Sequence, residues 1–490
     1  MTKIKFKKDL LFYILMLIIL LYRLNICISF KPEISVGETN NIWNALSVAN
    51  GKPMYSNPED TPFEIFQYTP YSQIPIIGAS YILNNNSNNY YYQVMVIGRL
   101  LSLLFNVLTF FFVYKIMYNQ LKTRNEIAKW AALFGFCILT HLSFSIRPDA
   151  LAILLTVASI YLFGKAYFNE TYKAYLLSGV FLSISFYTKQ DSALIIFALG
   201  LILLIQKKIK PLILFSISFC VSFLFISIIN YFLYGEYFFY SIIGGVDNGI
   251  SINKAQMVFE RYIHFYGAIF FVNIFFILYI IKSKIIRSIK NYLVAFNLIS
   301  LLIAFFSSLK MGSWINYYTL VNISSTITIC YCINYFTNDE KKISILNPLK
   351  YTITLIVLYF LFQQIFHYTA PFLKYYQSKK NHYKILTQFK SFKDSLNDNQ
   401  AVIYSSIPEI KLFLYQNIIL PNSEYYPVSK FSKDGYNKLK KNQKISVVIL
   451  PNPYEYYLKG SPFTCFNVNT SEFRVKEQVM NYTILLNGNN

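Results

Sequence analysis

The sequence predicts an α-helical polytopic membrane protein with about eleven transmembrane helices, followed by a small C-terminal extracytoplasmic α/β domain. Three observations carry that prediction. Hydrophobic residues fill 55% of the 490 positions and charged residues only 14%, against roughly 25% in ordinary globular domains. Apolar runs long enough to cross a bilayer recur along residues 1–370. After Pro371 the runs stop, and 16 basic and 8 acidic residues are spread over the tail. This composition excludes disorder, a small disulfide scaffold and a conventional cytosolic enzyme.

The first run, Leu10 to Phe30, follows Lys3, Lys5, Lys7 and Lys8. A secretory signal has that charge, but its apolar core is shorter and ends in a small-residue cleavage site, so this run reads as a retained span. Further spans are expected near 91–118, 127–146, 149–165, 174–188, 191–206, 211–234, 263–281, 291–309, 315–336 and 350–370. The N-terminus and the loops near 115–129, 165–173, 207–210, 282–290 and 339–350 carry 20 Lys and Arg. The alternate set holds seven: Lys31, Lys52, Arg147, Lys189, Lys254, Arg261 and Lys310. Positive charge stays on the cytoplasmic side, so the N-terminus is expected inside and the tail outside. The net charge of +22 is thereby explained by topology. Membrane lipids are expected partners and nucleic acid is not.

Domain organisation follows. Residues 1–370 form the transmembrane domain, with a large first outer loop at 31–89, and 371–490 form the outer α/β domain. Within the loop, Thr39 to Val48 suits a short helix lying on the membrane with Trp43 at the interface. Phe66 to Leu83 is apolar but broken by Pro70 and Pro75, which favours a re-entrant or interfacial segment, a twelfth span being the alternative. In the tail, Ala401 to Ser405 and Ile445 to Leu450 read as buried strands, preceded by helical patterns at 382–396 and 431–442. Five of the six cysteines lie in or beside apolar runs and none forms a CxxC pair, so they read as buried thiols. No internal repeat of the transporter kind is visible.

Charge near a membrane is costly, so the few ionisable residues carry the information. In the expected topology one face collects Glu38, Arg147 and Asp149 in "IRPDA", Lys189 and Asp191 in "TKQD", Asp247 in "GGVDNG", and Lys310 and Asn316 in "LKMGSWINYY". Each has a plainer reading. Arg147 and Lys189 suit snorkelling anchors, and Asp149 suits a cap for the fourth span. Together they recur on very short loops, where simple anchoring would use Trp and Tyr. Arg23 and Arg99 lie inside apolar runs and either snorkel or face the same cleft. His141 and His264 read as structural, with no HExxH motif beside them.

A carboxylate in an outer loop suits a general base, and several cations suit a phosphate. That combination fits glycosyl transfer from a lipid-linked phosphate donor. The acceptor hydroxyl loses a proton as it attacks, and fixed cations stabilise the charge that grows on the departing phosphate.

Over roughly 30–320 the chain resembles the GT-C superfamily of polytopic glycosyltransferases, in particular bacterial relatives of the protein mannosyltransferases and of the aminoarabinose transferase of lipid A. The resemblance rests on Glu38 after the first span, then "ANGKPMY" (Ala49 to Tyr55), "QYTPYSQIP" (Gln67 to Pro75), and the "RPDA", "TKQD" and "GSWINYY" connections. It implies an inverting transfer from a polyprenyl-phosphate monosaccharide on the outer face of a bacterial cytoplasmic (inner) membrane. Glu38 takes the general-base position, and Arg147, Lys189 and Lys310 hold the donor phosphate. Asp149, Asp191, Asp247, Asn316 and Tyr68 orient those groups or bind sugar. Two features depart from the pattern. Gly37-Glu38 replaces an acidic pair, which leaves open the base and the use of a divalent metal. Tyr68-Thr69-Pro70 replaces a double proline. No metal ligands are assigned. The alternatives are a polysaccharide polymerase or ligase, a lipid-linked sugar transporter or flippase, and a non-catalytic assembly protein whose tail binds partners.

Overall fold

The computed structural model describes residues 2–29, 37–57, 66–83, 90–139, 145–244, 249–337 and five strands between 402 and 487. Thirteen α-helices occur among them: α1 Thr2–Cys27, α2 Glu38–Ala49, α3 Ile74–Ile82, α4 Tyr90–Lys115, α5 Asn125–Ile138, α6 Asp149–Asn169, α7 Tyr172–Phe186, α8 Ile196–Ile205, α9 Ile209–Tyr234, α10 Glu236–Ile243, α11 Ile252–Lys282, α12 Arg287–Ser308 and α13 Thr319–Thr337. Ten expected runs each overlap one of these helices, α11 beginning eleven residues before its expected start. The run at 350–370 lies outside the described residues. Five helices are long and apolar enough to cross a membrane: Tyr90–Gln120 (α4 and the π-turn that ends it), α6, α9, α11 and α12.

Helix α9 and helix α13 show how the bundle sorts its residues. Helix α9 is apolar along its outward side and leaves Ile213, Ile217, Val221, Leu224, Ile228 and Phe232 exposed. Its 26 residues reach about 39 Å, more than the ~30 Å of a hydrocarbon core, and a helix is the form that satisfies its own backbone there. Helix α13 is the opposite case. It is polar for a membrane helix, and Val321 through Cys332 are all buried. Its polar groups find partners on α11 and α12, where Tyr262 donates to Asn322 Oδ1 at 3.1 Å and Asn297 Nδ2 donates to Thr328 Oγ1 at 2.7 Å. Asn273 on α11 joins the same seam by donating to Asn297 Oδ1 at 3.0 Å. Polar glue of this kind sits between helices because lipid offers it no partner.

Close packing brings α6, α7 and α9 together. A Cβ on Gly179 of α7 would meet the backbone of α9, at 2.8 Å from Phe215 O, so only glycine allows that approach. Ser159 and Ser178 hydroxyls bridge α6 and α7 at 2.8 Å.

The first loop folds inward. Helix α2 forms where expected, but Trp43 is buried with Ile42, Leu46 and Tyr90 in an apolar cluster, not placed at an interface. The amphipathic face of α2 has a protein partner in α3 and α4, and that partner removes the aromatic ring from the surface. Between Phe66 and Leu83 there is a 3-10 turn, Pro70–Ser72, and then α3 with Pro75 in its first turn. Nine residues span about 14 Å, so α3 is too short to cross and the twelfth-span alternative does not form.

In the tail the strands are β1 Val402–Ser405, β2 Ile418–Leu420, β3 Val447–Pro451, β4 Phe473–Val479 and β5 Tyr482–Asn487. They form one sheet in the order β2-β1-β3-β5-β4. β2, β1 and β3 run parallel, and β5 and β4 complete the sheet antiparallel. β1 and β3 coincide with the two expected strands. Val447 to Leu450 are buried, as a continuous apolar run in a central strand should be. The helices expected at 382–396 and 431–442 lie outside the described residues. Of the cysteines, Cys27, Cys137, Cys330 and Cys332 are buried and Cys220, on α9, is exposed.

Candidate functional site

Three connections meet at Asp149. Helix α6 starts there, behind Pro148, and a carboxylate in a first turn is favoured by the helix N-terminus. Its side chain faces three donors, one from its own connection and two from others. Lys189 Nζ lies 3.0 Å from Oδ1, and Asn316 Nδ2 donates to the same oxygen at 2.7 Å. Arg147 Nε donates to Oδ2 at 3.2 Å. Asp191 joins through Lys189, whose Nζ is 3.2 Å from Asp191 Oδ2.

Local backbone explains why these groups converge. Helix α7 stops at Phe186, and Lys189 N returns to Ser185 O at 2.8 Å while Lys189 itself is extended. A 3-10 turn, Gln190–Ile195, then leads into α8 and carries Asp191 on its first turn. On the far side, Gly312 takes a φ of 87°, a left-handed conformation costly for other residues, and closes a turn in which Ser313 N bonds Lys310 O. The 3-10 turn Ile315–Tyr318 that follows presents Asn316 to Asp149 and places the Tyr317 ring 4.4 Å from Lys189 Nζ.

Exposure rises outward through the cluster. The side chain of Asp149 is 4% exposed, Lys189 11%, Arg147 16% and Asp191 25%. Burial works against the charge on Lys189, but Asp149 and Asp191 outweigh it and hold the ammonium above the usual lysine range. Burial likewise opposes the charge on Arg147, and Tyr68 and Asp149 keep its guanidinium firmly protonated. Lys310 is half-buried and forms no ion pair among the described residues. Burial lowers its pKa, Asp191 partly offsets that, and Lys189 adds to the lowering. Arg147, Lys189 and Lys310 thus carry one positive charge more than Asp149 and Asp191 cancel, an arrangement suited to an incoming phosphate anion. Asn316 Oδ1 is buried and accepts no hydrogen bond from the described residues.

Glu38 is placed differently from the exposed loop carboxylate expected. Gly37, at φ 87°, turns the chain into α2 and aims Glu38 at α4. There Arg99 Nε and Nη2 grip both carboxylate oxygens at 2.9 Å each, and Ile146 N donates to Oε1 at 2.9 Å. Both side chains are 0% exposed. A carboxylate already accepting three hydrogen bonds inside protein has no access to an acceptor from water, and this geometry argues against it as the base. The same observation settles Arg99, which neither snorkels nor faces the cleft. Arg23 is also buried, donating to Phe136 O and lying 4.0 Å over that residue's ring. Asn41 Nδ2 donates to Ile146 O at 3.0 Å, so α2 holds both polar groups of the residue that precedes Arg147.

Tyr68 lies near Arg147, and its carbonyl accepts from Tyr55 at 2.8 Å. Asp247 and His141 lie outside the described residues, and His264 is exposed on α11. Sequence reasoning missed Tyr317, one tyrosine among 43, and Gln190, whose Nε2 bridges Gln67 O and Ile242 O at 3.1 and 3.3 Å. Arg99 was legible as an unusual charge in an apolar run, but its partner was not. Among the described residues no group of three or more His, Cys, Asp and Glu could hold a metal ion. Glu38 and Asp149 already neutralise organic cations, so this donor set does not fit a divalent ion.

The family described as dolichyl-phosphate-mannose-protein mannosyltransferase matches residues 93–234, the segment that supplies Arg99, Arg147, Asp149, Lys189 and Asp191. No curated protein matches the chain. Among solved structures, ArnT from Cupriavidus metallidurans bound to undecaprenyl phosphate aligns with a TM-score of 0.61 at 10% identity, covering 97% of this chain and 98% of that one. The same protein in the apo state gives 0.60 at 10% identity, with 97% of each chain covered. The oligosaccharyltransferase of Archaeoglobus fulgidus, in complex with Zn and sulfate, gives 0.53 at 12% identity over 89% of this chain and 68% of that one. At these identities the likeness is one of fold. The chain is a multi-pass helical membrane protein with the fold of the GT-C glycosyltransferases.

Proposed function

We propose that this chain, on its GT-C frame, is a glycosyltransferase that moves a monosaccharide from a polyprenyl-phosphate donor to an acceptor on the extracytoplasmic face of a cytoplasmic membrane. One observation carries the reading. Arg147 and Lys189 are anchored on a buried carboxylate, partly exposed, and joined by Lys310, at the ends of apolar helices. Cations held in that way are preorganised for a phosphate that a lipid tail delivers from the side. The undecaprenyl phosphate bound to the structurally similar ArnT supports the same ligand class.

In this mechanism Arg147 and Lys189 hold the donor phosphate, and Lys310 adds charge as the sugar–phosphate bond breaks. Asp149 and Asn316 fix Lys189 in place, and the free Asn316 Oδ1 accepts a hydroxyl of the sugar. Tyr68 lines the same end. The acceptor attacks the anomeric carbon from the face opposite the phosphate, which inverts the centre. The phosphate leaves as an anion, so the step needs no general acid. Glu38 has a structural part: with Arg99 it fixes the segment leading to Arg147. The sheet of the tail belongs to a separate outer α/β domain in this reading.

Two experiments test it. Purified protein in lipid nanodiscs is expected to bind undecaprenyl phosphate, and deletion in the native cell is expected to accumulate one undecaprenyl-phosphate sugar. Failure of both removes the enzyme reading. Orientation is tested separately by reporter fusions. Fusions after Lys208 and Lys284 should report cytoplasm and one after Asn490 the outer side. A cytoplasmic C-terminal reporter would place the cluster on a face that an outer transfer cannot use.

A further inference from the structure

We propose that Asp191 is the general base of the transfer, an inference that rests on the glycosyltransferase reading above. Three described carboxylates, Glu38, Asp149 and Asp191, lie at or beside this end of the bundle. Glu38 is 0% exposed and gives its oxygens to Arg99 and to Ile146 N. Asp149 is 4% exposed and accepts from Arg147, Lys189 and Asn316. Both accept three hydrogen bonds inside protein and are closed to water, and protonating either would strand the buried cations that face it. Asp191 is 25% exposed, and its one ion pair among the described residues is Lys189 at Oδ2. Its other oxygen, Oδ1, receives no hydrogen bond from the described residues. A base needs an oxygen open to water and beside the phosphate clamp, and of these three carboxylates Asp191 is the exposed one, with Oδ1 accepting no bond from the described residues.

Its position also links proton transfer to the leaving group. Lys189 Nζ lies between Asp149 at 3.0 Å and Asp191 at 3.2 Å. As the acceptor oxygen forms its bond to the anomeric carbon, the acceptor proton passes to Asp191 Oδ1. The sugar–phosphate bond breaks, and its electron pair goes to the phosphate oxygen. Asp191 becomes neutral at the moment the phosphate gains charge. Lys189 then keeps Asp149 as its one charged carboxylate partner, and more of its charge is left to act on the phosphate. One ammonium thus serves the base before the step and the leaving group after it, with no motion beyond hydrogen-bond distances.

This coupling predicts opposite effects on two readouts. Asp191→Asn cannot take the proton, so turnover should fall roughly 10²- to 10⁴-fold. The same change frees Lys189 from a competing carboxylate, so undecaprenyl phosphate should bind as tightly as in wild type or tighter. A merely structural residue would lower both. The experiment uses the full-length protein in nanodiscs, with undecaprenyl phosphate as the binding probe. Turnover is read as release of undecaprenyl phosphate from a panel of undecaprenyl-phosphate hexoses and aminopentoses, with lipid and polysaccharide extract of the native cell as acceptor. Asp191→Glu should restore part of the rate. Wild-type turnover in Asp191→Asn overturns the inference and leaves the enzyme reading intact. So does weakened lipid binding together with lost turnover, or a loss confined to Asp247→Asn. A wild-type protein that binds undecaprenyl phosphate but releases none from any donor removes the enzyme reading itself.

Discussion

Glu38→Gln is expected to destabilise the protein by about 3–5 kcal/mol, because it leaves the Arg99 guanidinium buried without its counter-charge. The pair is fully enclosed and bidentate, with both contacts at 2.9 Å. Salt cannot screen it and water cannot replace it. Arg99→Met should cost a similar amount, since it strands Glu38. Removing both charges in Glu38→Leu with Arg99→Met should recover most of the loss, because a buried pair exchanged for apolar residues of like volume is often near neutral. The measurement is thermal unfolding of the purified proteins in one detergent, read as a double-mutant cycle. The cycle also separates a structural role from a catalytic one. If Glu38 only holds the segment before Arg147, the double variant keeps turnover within roughly tenfold of wild type. A double variant that is stable, binds undecaprenyl phosphate and is inactive would return Glu38 to the role of base.

Arg147→Ala is expected to weaken undecaprenyl phosphate binding by roughly 10- to 150-fold, the loss of one charge-assisted contact at about 1.5–3 kcal/mol. Its stability cost should be small. Asp149 keeps Lys189 at 3.0 Å and Asn316 at 2.7 Å when Arg147 is gone. Lys189→Ala should behave differently. It removes the bridge between Asp149 and Asp191 and leaves two carboxylates with less positive charge than they now share. That variant should lose both lipid binding and several degrees of unfolding temperature. Lys189→Arg should recover only part of the binding, because a planar fork does not replace a point charge between two acids. Lipid titration and thermal unfolding of the three variants side by side give the test. Unchanged lipid binding in both alanine variants would return Arg147 and Lys189 to anchoring.

The helical frame was legible because its cause is local. A run of about twenty apolar residues in a membrane has to satisfy its backbone internally, and a helix does so without help from the rest of the chain. Thus α1, α4, α9, α11 and α12 could be placed from hydropathy alone, and Pro70 and Pro75 already argued that α3 would not cross. Residue type together with short loops also marked Arg147, Asp149, Lys189 and Asn316 as one group, because charge beside lipid has few other reasons to be there. Tertiary structure alone decided which charge meets which. Glu38 and Arg99 are 61 residues apart, and Asn316 is 167 residues from Asp149. No sequence period encodes those distances. A carboxylate serves as base or as buried counter-ion according to its partners and its access to water, and both depend on how the helices pack. For that reason Glu38, the more prominent acid in the sequence, is enclosed, while Asp191, one acid in a short connection, keeps an oxygen free.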